Sequence, residues 1–119
     1  MTETKRPGRI EISPRAIATV AGDAVLRCYG VVGVASKNLI GGLADLLQPD
    51  RWGRGVDVRM REGAVVLDLY VIVQYGTRIS EVAHGVMNNV KYTLEQVLGI
   101  PVAEVNVHVQ GLRMLSETE

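Results

Sequence analysis

The stretch VDVRMREGAVVLDLYVIVQY, residues 56–75, decides the architecture. Val56, Val58 and Met60 alternate with Asp57, Arg59 and Arg61, the period of two that marks a half-buried strand. Glu62-Gly63 supplies a turn, so Ala64 to Tyr75 is expected to return antiparallel as the second arm of a hairpin. In that arm Val65, Leu67, Leu69, Val71 and Val73 share one face. The other face carries Val66, Asp68, Tyr70, Ile72 and Gln74, too apolar a set for a fully solvated surface.

Two helical patterns flank the hairpin. Upstream, Ser13-Pro14 is a strong helix start, with a capping hydroxyl followed by proline at the first helical position. Ala16, Ile17, Val20, Ala21, Ala24, Val25 and Cys28 then recur at helical spacing, and Gly30 is expected to end the helix in a left-handed cap. Downstream, Ile79, Val82, Ala83, Val86, Val90, Leu94 and Val97 form a second stripe that Gly99 closes. Short strands are expected at Arg9 to Ile12 and Val31 to Ser36. A last one follows Pro101, where Val105, Val107 and Val109 alternate with Glu104, Asn106, His108 and Gln110. The order is β-α-β-β-β-α-β. It implies an α+β two-layer sandwich, a mostly antiparallel sheet with two main helices packed on one face.

With 119 residues the chain is one domain, 1–119, long enough for a core without disulfides or metal. Residues 1–8 and 116–119 are polar and read as flexible tails. Lys37 to Gly55 mixes Gly41-Gly42, Pro49-Asp50 and a short leucine pattern, Leu39, Ile40, Leu43, Leu46 and Leu47, with the isolated Trp52. We expect it to be the most mobile internal segment and to carry partner contacts. No apolar run follows the basic N-terminus and none approaches membrane-spanning length, so any membrane contact is expected to be indirect.

Thirteen basic and thirteen acidic residues cancel. A dedicated nucleic-acid binder usually carries a net basic field, and this chain has none. The single cysteine, Cys28, excludes an internal disulfide and reads as a buried structural thiol on its helical stripe. His84 and His108 are expected on opposite sides of the sheet, with no cysteine or carboxylate at ligand spacing, so neither a metal nor a cofactor is expected. Asp57 and Asp68, on facing strands, read as members of cross-strand charge pairs with Arg59 and Arg61. Gly30-Val-Val-Gly33 matches the Gly-x-x-Gly loop by which some modules clamp a nucleic-acid backbone. With valines in the middle, it reads better as a helix cap leading into a strand.

Several stretches together are similar to a known family. They are Gly8-Arg-Ile-Glu-Ile-Ser, Ala16-Ile-Ala-Thr-Val-Ala-Gly22, Gly30-Val-Val-Gly-Val34, Gly42-Leu-Ala-Asp-Leu46, Val65 to Gly76, and Glu104-Val-Asn-Val-His-Val-Gln-Gly111. The chain resembles the alkaline shock protein (Asp/Gls) family of envelope stress response proteins from Gly8 to Leu112. The resemblance implies a cytoplasmic bacterial protein of envelope homeostasis with no established enzymatic activity, reaching the membrane in some members through a small integral membrane partner. It supplies no catalytic motif.

Three functions are therefore weighed. The first is a non-catalytic, self-associating scaffold whose contact surface includes Val66, Tyr70, Ile72, His108 and Trp52. The second is a nucleic-acid-binding module using Gly30 to Gly33 and the surface arginines Arg51, Arg54, Arg59, Arg61 and Arg78. The third is an enzyme acting through Asp68, Tyr70 or His108, which would need those residues to line a dry pocket.

Overall fold

The order of elements is α1 (Pro14–Leu26), β1 (Val31–Val34), β2 (Val56–Arg61), β3 (Ala64–Gln74), α2 (Ile79–Leu98) and β4 (Val102–Arg113). The computed structural model describes residues 7–35 and 55–114. The expectations for Trp52, Arg51, Arg54, the leucine pattern of 37–54 and most of the two tails lie outside the described residues.

Strand β3 is the axis of the sheet. Its neighbour β2 pairs antiparallel in the expected hairpin register, from Val56 opposite Leu69 to Arg61 opposite Ala64. Strand β4 lies parallel along the whole of β3, from Val65 opposite Val102 to Gln74 opposite Arg113. Strand β1 pairs antiparallel with the far half of β3, from Val31 opposite Val73 to Val34 opposite Val71. Because β4 occupies one edge of β3 throughout, β1 and β2 lie end to end along the other. They meet at Tyr70. The Ala35 N–H donates to the Tyr70 carbonyl at 2.8 Å, and the Tyr70 N–H donates to the Gly55 carbonyl at 2.9 Å. Two residues far apart in sequence thus share one pairing position. The approach is close: a Cβ on Gly55, whose φ is +82°, would stand 2.8 Å from Val34 Cβ.

The inner face of the sheet is the core. Val65, Leu67, Leu69, Val71 and Val73 are all fully buried beneath the helices. Helix α1 lies over β1 and β2, and α2 lies over β4 and against α1. The stripes do the burying: Ile17, Ala18, Ala21, Ala24 and Val25 from α1, and Val82, Val86, Val90 and Leu94 from α2. Each fully buried aliphatic side chain contributes about 1.5–3 kcal/mol relative to exposure, so this layer dominates stability. Ser13 caps α1 as expected, its hydroxyl accepting from Ala16 N–H at 3.1 Å. Gly99 ends α2 with φ +72°.

The α+β sandwich and both helices are as the sequence implies, with three corrections. Arg9 to Ile12 forms no strand; Ile10 is exposed, and only Ile12 packs against the core. One inward side chain is too little to hold a strand on an edge already occupied by β1 and β2. Helix α1 ends at Leu26 with Arg27 as its cap, and Gly30 sits beyond, in the turn into β1. Its φ is +88° and a Cβ there would lie 2.6 Å from Val82 Cγ2. Cys28, lying past the helix end, leaves the stripe and is half-buried rather than buried.

Candidate interaction surface

The face of the sheet opposite the helices is covered by no helix among the described residues. Strand register places Asp57, Arg59 and Arg61 of β2, Val66, Asp68, Tyr70 and Ile72 of β3, and Glu104, Asn106 and His108 of β4 on this outer face. Alternation puts them there: every second residue of β3 goes to the core, so the others face out.

Asp68 is the hub. Arg59 Nη2 donates to its Oδ2 at 2.7 Å from one side, and His108 Nε2 lies 2.9 Å from its Oδ1 on the other. The Asp68 side chain is only 15% exposed. The hydrogen bond from His108, with that from Arg59, holds its carboxyl below the usual carboxylate range, against the opposing effect of burial. The Tyr70 ring stacks on His108 with centroids 4.6 Å apart and planes 12° from parallel. A second bridge crosses the same strand: Arg61 Nη2 donates to Glu104 Oε2 at 3.2 Å, and Asn106 Nδ2 donates to Glu104 Oε1 at 3.4 Å. Arg61, then Asn106, lowers the Glu104 carboxyl.

These bridges change which residues the surface presents. Val66, opposite Arg59 and Glu104 in register, is fully buried although it lies on the open face. It therefore offers nothing to a partner. Tyr70, Ile72 and His108 are half-buried and remain available. The cross-strand pairing of Asp68 with Arg59 and of Arg61 with Glu104 is what a solvated charged face requires. Arg61 and Glu104, placed by a parallel pairing between distant segments, carry no local sequence signal of their partnership.

Asp68, Tyr70 and His108 do come together, on this outer sheet face. A cleft of about 650 Å³ opens elsewhere, between the end of α1 and the start of α2. Arg27, Cys28 and Tyr29 form one wall, and Arg78, Val82, Gly85 and Asn89 the other. Cys28 there donates to the Ala24 carbonyl and accepts from Asn89 Nδ2 at 3.3 Å. The sequence reading missed this cleft; the signal was Gly85, a glycine inside a helix. His84 lies on α2, its Nδ1 2.9 Å from the Ser80 carbonyl, on the helix side of the sheet from His108. Among the described residues, no group of three or more His, Cys, Asp or Glu could hold a metal ion. No described helix is long and apolar enough to cross a membrane.

The chain is similar to proteins of Bacillus subtilis and Streptococcus pyogenes. Uncharacterized protein YloU of Bacillus subtilis (strain 168) is 51% identical over 108 residues, spanning 90% of each chain. Uncharacterized protein Spy1614 of Streptococcus pyogenes serotype M6 is 37% identical over 113 residues, spanning 94% of this chain and 93% of its own. Among solved structures, the copper form of the MamM CTD shares 13% identity at a TM-score of 0.48, covering 87% of this chain and 88% of that one. The profile of a family described as "Asp23 family, cell envelope-related function" matches residues 2–114. With nearly the whole chain matched, this protein belongs to the Asp23 family, and its function is related to the cell envelope.

Proposed function

We propose that this chain is a non-catalytic scaffold of bacterial cell-envelope homeostasis and stress response that associates with copies of itself through the outer sheet face. The observation that supports the reading is that face. It has no covering helix among the described residues, and it offers Tyr70, Ile72 and His108 beside a fully paired set of charges. Half-exposed apolar groups within a hydrogen-bonding border are the composition of a protein–protein interface. Equal numbers of acidic and basic residues leave little net repulsion against assembly. In this reading the protein works in the cytoplasm and reaches the membrane through a small integral membrane partner, without inserting itself.

The nucleic-acid reading has less to support it. Gly30 lies against Val82, its carbonyl accepts from Gln74 N–H at 2.8 Å, and Val31–Val34 is bound into the sheet. A backbone clamp needs those groups free.

Sedimentation velocity over a range of concentrations tests the proposal on wild type and the Ile72→Lys variant. Wild type is expected to associate and the variant to stay monomeric with an unchanged fold by circular dichroism. A wild-type monomer at every concentration, or a variant that assembles like wild type, overturns it. Salt-sensitive RNA retention on filters by the wild type would instead favour the nucleic-acid reading.

A further inference from the structure

The cleft between the two helices lies on the other layer from the outer sheet face, and the scaffold reading makes no use of it. Its volume, about 650 Å³, is that of a small-molecule site. Cations stand on two walls: Arg27 follows α1, and Arg78 precedes α2. Among the described residues each is held in an exposed ion pair, Arg27 with Asp23 at 3.0 Å and Arg78 with Glu81 at 3.1 Å. Such pairs are weak, so either guanidinium can turn to a bound anion at small cost. Arg78 is the N-cap residue of the 20-residue helix α2, which begins without a side-chain cap hydrogen bond, its N-terminal dipole favouring negative charge. The apolar lining of the cleft is the exposed ring of Tyr29 and the buried Val82 at its floor.

Gly85 is the independent sign. It sits inside α2, where glycine weakens a helix relative to alanine. A Cβ on it would meet nothing within 4 Å. Internal packing therefore does not call for glycine there. Its effect is to leave the wall of the cleft bare.

We propose that this cleft binds a phosphomonoester with a compact apolar body, the phosphate held by Arg27 and Arg78 at the start of α2 and the body against Tyr29 and Val82. The planar guanidinium fork matches phosphate oxygens in bidentate fashion. Glu81 competes with the ligand for Arg78, which sets the sign of one test below.

The full chain, labelled with nitrogen-15, is titrated at low salt with phenyl phosphate, inorganic phosphate and phenol, following amide shifts by NMR. Phenyl phosphate is expected to saturate with shifts concentrated at Arg78 to Val82, Gly85 and Asn89. Inorganic phosphate should move the same helix start about tenfold more weakly, and phenol should not saturate. Arg27→Gln and Arg78→Gln should each weaken the ester about tenfold, the loss of one charge-assisted contact, while Glu81→Gln tightens it. Gly85→Leu should abolish binding while the melting temperature stays at or above wild type. Shifts that never saturate, or that survive Gly85→Leu or both arginine substitutions, overturn the site. Inorganic phosphate binding as tightly as the ester overturns the apolar half of the proposal. Weaker binding by Glu81→Gln does the same for the arginine assignment. Should Gly85→Leu fail to fold, the exposed arginine variants decide alone.

Discussion

Asp68 ties three strands together through one carboxylate, taking Arg59 from β2 and His108 from β4. Its carboxyl is held below the usual range by His108 first and Arg59 next. A group whose folded pKa is depressed stabilises the fold fully above its unfolded value, about 3.9. That stabilisation drains away as pH falls through the lower folded value. Asp68→Asn is thus expected to lower stability near neutral pH by about 1–2 kcal/mol. The deficit should shrink as pH falls from about 4 through the lower folded value, which urea denaturation of both proteins at successive acid pH measures. Gly30 presents a different constraint at the same scale. Its φ of +88° and the 2.6 Å approach of Val82 Cγ2 both exclude a side chain. Gly30→Ala should cost about 2 kcal/mol or more, read from the denaturation midpoint, since both backbone strain and overpacking oppose it.

At the scale of the elements, α2 shows two opposite sensitivities on one helix. Leu94 is fully buried in the core, so Leu94→Ala should destabilise by about 2–5 kcal/mol. Gly85 lies in open space on another face, so Gly85→Ala should stabilise by about 1 kcal/mol. Thermal unfolding of the two variants checks both signs. The elements themselves were legible because their cues are local. Period-two alternation through residues 56–75, the Ser13-Pro14 start and the Gly99 stop each lie within a few residues of the structure they specify. What stayed illegible is non-local. The parallel seat of β4 joins Val66 to Glu104 and Tyr70 to His108, and it decides that Val66 is covered while Tyr70 is stacked. No run of neighbouring residues encodes that. The cleft was hidden for the same reason, since Arg27 and Arg78 line one cleft only when the end of α1 and the start of α2 come together. Cys28 was misread because the helix stops two residues short of it, a boundary that periodicity leaves loose.

For the whole molecule, the seam at Tyr70 is the feature with the widest reach. Ala35 gives its N–H to Tyr70 and Gly55 gives its carbonyl, so a single residue's pairing is divided between two separate segments. Ala35 and Val56 stand in register with Tyr70 and Leu69, successive positions of β3. Joining Ala35 directly to Val56 would therefore leave one unbroken ladder, the Ala35 carbonyl replacing that of Gly55. A chain lacking residues 36–55 is expected to keep the same sheet and cooperative unfolding, since the ladder along β3 closes across the join. Calorimetry and an amide spectrum would show it; loss of cooperative unfolding would refute it. Where that shortened chain still folds, any binding it has lost can be assigned to residues 36–55.

The same seam has a use beyond the protein's own needs. A chain that departs and returns at one rung of a ladder can be handed a foreign peptide at that rung without its sheet registering the change. It can equally be cut there. Fragments ending at Ala35 and beginning at Gly55 would each keep one half of the bonds to Tyr70, so mixing them tests whether two pieces, fused to other proteins, report their encounter by restoring the sheet.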